Sequence, residues 1–132
     1  MPYKITYSNN PAGVVTIFFG VVTDIDIIDS CIERLASDNK LIDLLYITDD
    51  LSEVTEFEVS VKAMMKCMSF AEKASELNKK LVKVVIASED YIYGMCRVWQ
   101  AYSTGIDWIM NVVRTHEEAE KWLNENMKKS NI

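Results

Sequence analysis

Leu81-Val82-Lys83-Val84-Val85-Ile86-Ala87-Ser88-Glu89-Asp90 is the stretch whose reading decides the fold. Up to Ala87 it is β-branched or apolar apart from one lysine, the composition of a strand covered on both faces. Ser88 then offers a helix cap, and Glu89 and Asp90 place acids at the positive end of a helix. Beyond them Ile92, Met95, Cys96 and Trp99 recur at i, i+3, i+4 and i+7, one apolar face of that helix. A buried central strand hands over to an amphipathic helix.

The segments on either side repeat this plan. Upstream, Lys4 to Tyr7 alternates polar and apolar, Asn9 to Gly13 supplies turn residues, and Val14 to Phe19 is a second β-rich run, so an edge hairpin is predicted. Gly20 is expected to end that strand. Thr23-Asp24-Ile25-Asp26 reads as a helix start, with Ile28, Cys31, Ile32 and Leu35 as its stripe and Ser37-Asp38-Asn39 as its close, a helix over about residues 24 to 38. Leu41 to Ile47 reads as the next strand, with Thr48-Asp49-Asp50-Leu51-Ser52 leaving its carboxyl end as a polar loop. The longest helix is predicted from Phe57, with Val61, Met64, Met65, Met68, Ala71 and Leu77 on one side. Trp108 to Val113 gives the last strand. Thr115-His116-Glu117-Glu118 is a capping box opening a helix with Ala119, Trp122 and Leu123 inward, and a frayed tail is expected after Met127.

Strands separated by helices imply right-handed crossovers, so the expected fold is α/β in the order β-β-α-β-α-β-α-β-α. That order gives a mostly parallel sheet of about five strands, an antiparallel edge hairpin and four helices, in one domain over residues 1–132. The composition, 49% hydrophobic and 26% charged over 132 residues, is that of an ordinary folded protein. Twenty acids against fourteen bases give a net charge of -6 with no basic stripe, which argues against nucleic acid as a partner. The three cysteines have no CxxC pairing and fall on predicted helices, as buried free thiols in a reducing cytosol would. The first residues lack the apolar core of a signal peptide and no apolar run is long enough to span a bilayer, so a cytoplasmic protein is expected.

Two local stretches carry a resemblance. Tyr93-Gly94-Met95-Cys96-Arg97-Val98-Trp99, with Gly-Met-x-Arg inside it, and Val112 to Leu123, with Val-x-x-x-x-Glu-Glu-Ala-x-x-Trp-Leu, are similar to the closing half of small, largely uncharacterised bacterial and archaeal STAS-like (SpoIIAA-like) proteins. The element order resembles the same fold, which is related to the lipid-binding CRAL-TRIO domain. The resemblance implies a STAS-like α/β domain. In anti-sigma-factor antagonists of that kind, a phosphorylatable serine sits in an Asp-Ser-Ser-Gly-like turn after the third strand. The matching place here is Thr48-Asp49-Asp50-Leu51-Ser52-Glu53, without the paired serine or the glycine, which leaves Ser52 as the candidate.

No constellation specifies a reaction. His116, the only histidine, reads as a solvated first-turn residue with no nucleophile placed beside it, and with one histidine and no clustered cysteines a zinc site has almost nothing to work with. Asp49, Asp50 and Glu53 lack the glycine and closing glutamate of a calcium loop, and the glycines stand too far apart to cradle phosphate. No metal and no cofactor are therefore expected. The thioethers around Met64, Met65 and Met68 suit either an irregular core or an adaptable apolar pocket. Gly94 within a helix costs about 1 kcal/mol relative to alanine, which points to close backbone approach or access to a pocket.

The leading expectation is a non-enzymatic STAS-like binding or regulatory module acting through protein–protein contacts; the alternative is a carrier of a small apolar or amphipathic, lipid-like ligand. Ligands of open parallel sheets gather outside the carboxyl ends of the strands. That rule selects Asp49, Asp50, Ser52, Ser88 and Arg114 as the polar rim, with Tyr93, Gly94 and Arg97 as its wall. Trp99, Tyr102 and Trp108 lie close together in sequence and make a homodimer a further expectation.

Overall fold

The computed structural model describes residues 2–35 and 38–130. Strands β1 (Tyr3–Ser8) and β2 (Gly13–Thr23) form the edge hairpin, followed by α1 (Asp24–Leu35), α2 (Asp38–Asp43), β3 (Tyr46–Glu58) and α3 (Val61–Leu77). Then come β4 (Val82–Ile86), α4 (Asp90–Tyr102), β5 (Ile109–Val113) and α5 (His116–Ser130). The sheet runs in the order β1-β2-β3-β4-β5, antiparallel between β1 and β2 and parallel elsewhere. Because each new strand joins the same edge through a crossover of one hand, the crossover helices collect on one face, and α1 packs on α3 there. The last helix, α5, covers the other face. Its Ala119, Trp122 and Leu123 pack on Val84, Ile86 and Val113.

The expected α/β order holds, with five helices among the described residues in place of four. Short apolar runs are ambiguous between strand and helix, and Leu41 to Ile47 shows why. Leu41 and Leu44 are buried at i, i+3 on and just after the short helix α2, and β3 begins only at Tyr46. Asn78, itself buried, fixes that turn: its Nδ2 donates to Leu41 O at 2.7 Å and to Leu44 O at 2.8 Å. Trp108, expected as the first residue of β5, instead anchors the approach to it by donating its indole N–H to Asn78 O at 2.7 Å.

The larger correction concerns β3. Thr48 to Ser52 is not a loop at a carboxyl end but part of a strand that pairs with β4 as far as Asp50 and with β2 as far as Glu58. Phe57 belongs to this strand, and α3 starts at Val61 with Ser60 as its cap, Oγ accepting from Ala63 N at 3.2 Å. On β2, Gly20 does not end the strand. It adopts φ +67 where the register with β3 shifts, a conformation that favours glycine, and the strand continues to Thr23. Gly13 opens β2 directly beneath the Tyr46 ring, where a Cβ would stand 2.1 Å from ring carbons.

Helix α1 buries a stripe rotated from the expected one. Ile27, Ser30, Cys31 and Arg34 are inward, whereas Ile32 is 46% exposed. Ser37, expected near its close, lies outside the described residues. On α3, Met64 is buried but Val61, Met65 and Leu77 are exposed, so the long apolar side of that helix is only partly core. The capping box of α5 forms as expected, with Glu118 N donating to Thr115 Oγ1 at 3.1 Å and Thr115 Oγ1 donating to Glu118 Oε1 at 3.2 Å. That helix runs on to Ser130 instead of fraying after Met127.

Candidate functional site

Polar groups gather in two places on opposite faces of the sheet. At the carboxyl ends of β4 and β5, Asp50 sits on the α5 face with its side chain 8% exposed. Its Oδ1 accepts from Ser52 N at 3.0 Å and Ser52 Oγ at 2.7 Å, and its Oδ2 pairs with His116 Nε2 at 2.6 Å. Beside it, Arg114 Nη2 donates to Ser88 O at 2.9 Å and to Asp90 Oδ1 at 2.5 Å, and its guanidinium lies 4.7 Å from the centre of the Tyr93 ring. Ser88 does not cap α4: the cap position is Glu89, and Ser88 Oγ donates across to Arg114 O at 3.1 Å. The expected rim residues Asp50, Ser52, Ser88 and Arg114, with Tyr93 of the expected wall, are thus brought into two adjoining clusters, and His116, read as solvated, joins the first while remaining exposed.

The remaining three go elsewhere. Gly94 and Arg97 are exposed on α4, and a Cβ built at Gly94 meets nothing within 4 Å, so no close backbone approach explains that glycine. Asp49 points to the opposite face, into the second polar group, where it ion-pairs with Arg34 and with Lys83 Nζ at 3.3 Å. Burial pushes its carboxyl up, but Arg34 and Lys83 outweigh that and hold it below the ordinary carboxylate range. Arg34 also donates from Nε to Ser30 O at 3.1 Å and from Nη2 to Cys31 Sγ at 3.4 Å. Cys31 lies on α1 and Cys67 on α3, two helices that pack on each other. The influence of the Cys67 side chain, with Arg34 and Lys83, lowers the Cys31 thiol, while that of Cys31, with burial, raises Cys67. Cys96 has no such partner, and burial pushes it up to about 12.

This second group opens on a cavity of about 200 Å³ between α3, α4 and the first halves of β4 and β5. Its wall is mainly apolar and thioether, with Met64, Met68, Trp99 and Met110, and it also includes Cys67 and Lys83. Trp99 packs against Phe57 with ring centres 5.5 Å apart, as expected of a core-facing residue, yet its buried indole N–H has no hydrogen-bond partner among the described residues. Sequence reasoning missed Arg34 and Lys83. The signal was present in each: a single lysine inside a strand that reads as covered on both faces, and an arginine at i+7 from Ile27 on a buried stripe.

Among the described residues no group of histidine, cysteine and acidic side chains is arranged to hold a metal ion, and no helix is long and apolar enough to cross a membrane.

A five-stranded sheet with one antiparallel edge pair, crossover helices on one face and a closing helix on the other defines a protein of SpoIIAA-like, or STAS-like, fold. A solved structure similar to it is an uncharacterised protein of the DUF3478 family with a SpoIIAA-like fold from Shewanella loihica PV-4, which is 15% identical with a TM-score of 0.58 over 92% of this chain and 91% of that one. At that identity the likeness is one of fold. No family model matches the chain, and no curated protein matches it significantly.

Proposed function

We propose that the protein is a non-enzymatic binding module in which the cavity between α3, α4 and β5 receives a small amphipathic ligand. The observation that carries this reading is the cavity wall itself: thioethers and an indole around about 200 Å³, with one ammonium, Lys83, and one unpartnered buried N–H, Trp99 Nε1. Flexible thioethers adapt to an irregular apolar body, and a buried unpaired donor gains most from a ligand oxygen. The non-enzymatic part is supported by the rim, where Asp50, His116 and Arg114 are each engaged with a neighbouring side chain.

Native mass spectrometry after gentle purification should show a retained small-molecule mass that heat or solvent removes. Trp99→Phe keeps the ring and removes the N–H, and should weaken retention about tenfold, the size of one buried hydrogen bond. A bare protein mass in every preparation, together with no uptake of an added fatty acid, would defeat the reading.

A second reading, docking of a protein partner in a regulatory role, is favoured by a different observation. Phe19 and Val21 are 42% and 45% exposed on β2, on the sheet face that α5 leaves uncovered beside Asp50 and Ser52. Self-association through that face belongs to this reading. Its earlier motive is weaker, because Trp108 is buried and Trp99 half-buried, leaving Tyr102 as the exposed aromatic of the three. Light scattering at high concentration should then exceed the monomer mass of 15.1 kDa, and a value that stays there removes the homodimer.

A further inference from the structure

We infer that the ligand of the α3–α4 cavity is a monoanion, a small carboxylic acid in its ionised form that Lys83 holds by its carboxylate. The inference rests on the binding reading given above and adds to it the charge of the ligand. Among the described residues, the ion pairs beneath the cavity do not balance: Arg34 and Lys83 share one carboxylate, that of Asp49. The two cations are not placed alike. Arg34 is 6% exposed and its guanidinium is committed inward, to Asp49 Oδ1, to Ser30 O at 3.1 Å and to Cys31 Sγ at 3.4 Å. Lys83 has its side chain 21% exposed and reaches only the other oxygen of the same carboxylate, Asp49 Oδ2, at 3.3 Å. An ammonium carries three donors, so Lys83 keeps donors that Asp49 does not fill.

Lys83 is also the charged residue of the cavity wall, among Met64, Met68, Trp99 and Met110. The neutral polar side chains there are turned to backbone oxygens, Gln100 Nε2 donating to Met110 O at 2.9 Å and Ser103 Oγ to Trp99 O at 2.8 Å. A half-paired ammonium beside an apolar wall attracts an anion, and repels a cation, more strongly than it would in water, because the wall lowers the local dielectric. One open cation matches one negative charge. A phosphate dianion calls for a second cation, and Arg34 is closed off behind. The volume bounds the body of the ligand: an engineered cavity of about 150 Å³ takes up benzene, so about 200 Å³ admits about one ring, or a chain of similar bulk. The Trp99 N–H donates to an alcohol oxygen and a carboxylate oxygen alike, so the choice of charge falls to Lys83.

Three probes with the same body separate these terms: phenylacetate, phenethyl alcohol and phenethylamine, each titrated into the whole protein at neutral pH and followed by its methionine methyl resonances. Phenylacetate should move the methyls of Met64, Met68 and Met110 and leave that of Met127, which lies on the opposite face on α5. It should bind at least about tenfold more tightly than phenethyl alcohol, the effect of one charge-assisted hydrogen bond, with phenethylamine the weakest. Lys83→Met leaves Arg34 and Asp49 paired one to one, so no buried charge is orphaned. In that variant the advantage of phenylacetate over the alcohol should disappear while the alcohol binds about as before. If phenethyl alcohol binds the unsubstituted protein as tightly as phenylacetate and moves the same methyls, the cavity is a binding site but its ligand is not chosen by charge, and this inference alone falls. A phenylacetate advantage that survives Lys83→Met overturns it as well, since the charge is then read elsewhere. If none of the three probes moves those methyls, the inference falls together with the cavity reading on which it rests.

Discussion

Replacing Asp49 with asparagine should cost about 3 to 5 kcal/mol, the largest effect expected of any single substitution in this chain. Asparagine keeps the size and an acceptor oxygen but removes the charge. Arg34, 6% exposed, and Lys83 would then face each other with no counter-charge, and a buried unpaired cation carries a desolvation cost that the lost attraction had offset. The companion test separates pairing from packing. A double variant, Arg34→Met with Asp49→Leu, should be less destabilised than Asp49→Asn, because two apolar side chains of similar volume leave no buried charge. Urea unfolding measures both, and an Asp49→Asn loss below about 1 kcal/mol would mean that water already reaches the group.

The same carboxylate makes stability depend on pH, with a definite sign. Its folded pKa is depressed, so the unfolded chain binds the proton more readily. The contribution is therefore fully present above the ordinary carboxylate pKa and is lost as pH falls through the lower folded value. The gap in stability between the native protein and Asp49→Asn should be constant near neutrality and should narrow under acid. A gap that widened under acid would contradict the ion pairing.

Ile86→Ala should cost about 2 to 5 kcal/mol. Ile86 is 2% exposed on the interior strand β4, in register between Asp50 of β3 and Val113 of β5, and it packs under Ala119 and Leu123 of α5. Removing its branched carbons forfeits their transfer from water and leaves a void, because strands held by ladders on both sides cannot close in. The loss should appear in the urea midpoint with little change in slope. A cost under about 0.5 kcal/mol is what a surface position gives and would place β4 at the edge of the core.

What the sequence alone determined were the elements whose local signals agree. Val82 to Ile86 reads as a buried strand and is one; Ile92 and Cys96 mark the inward face of α4; Thr115 and Glu118 write the capping box of α5. In each case periodicity, caps and burial point the same way, so no distant contact is needed to choose. The rim residues Asp50, Ser52, Ser88 and Arg114 were legible by the rule of strand ends, although Asp50 and Ser52 arrive there on a strand that runs past its neighbour. Tertiary structure decided the rest. In β3, Leu51, Val54 and Phe57 are buried three apart, because the register with β2 slips twice, between Asp50 and Glu53 and again between Val54 and Glu56, and those slips erase the period of two by which a strand is recognised. The acids of the same segment read as loop because nothing local supplies their partners: Arg34 comes from α1, Lys83 from β4 and His116 from α5. The cavity is likewise invisible along the chain, since Cys67, Lys83 and Trp99 lie on three separate elements and become one wall only when the crossover helices close over a single face of the sheet.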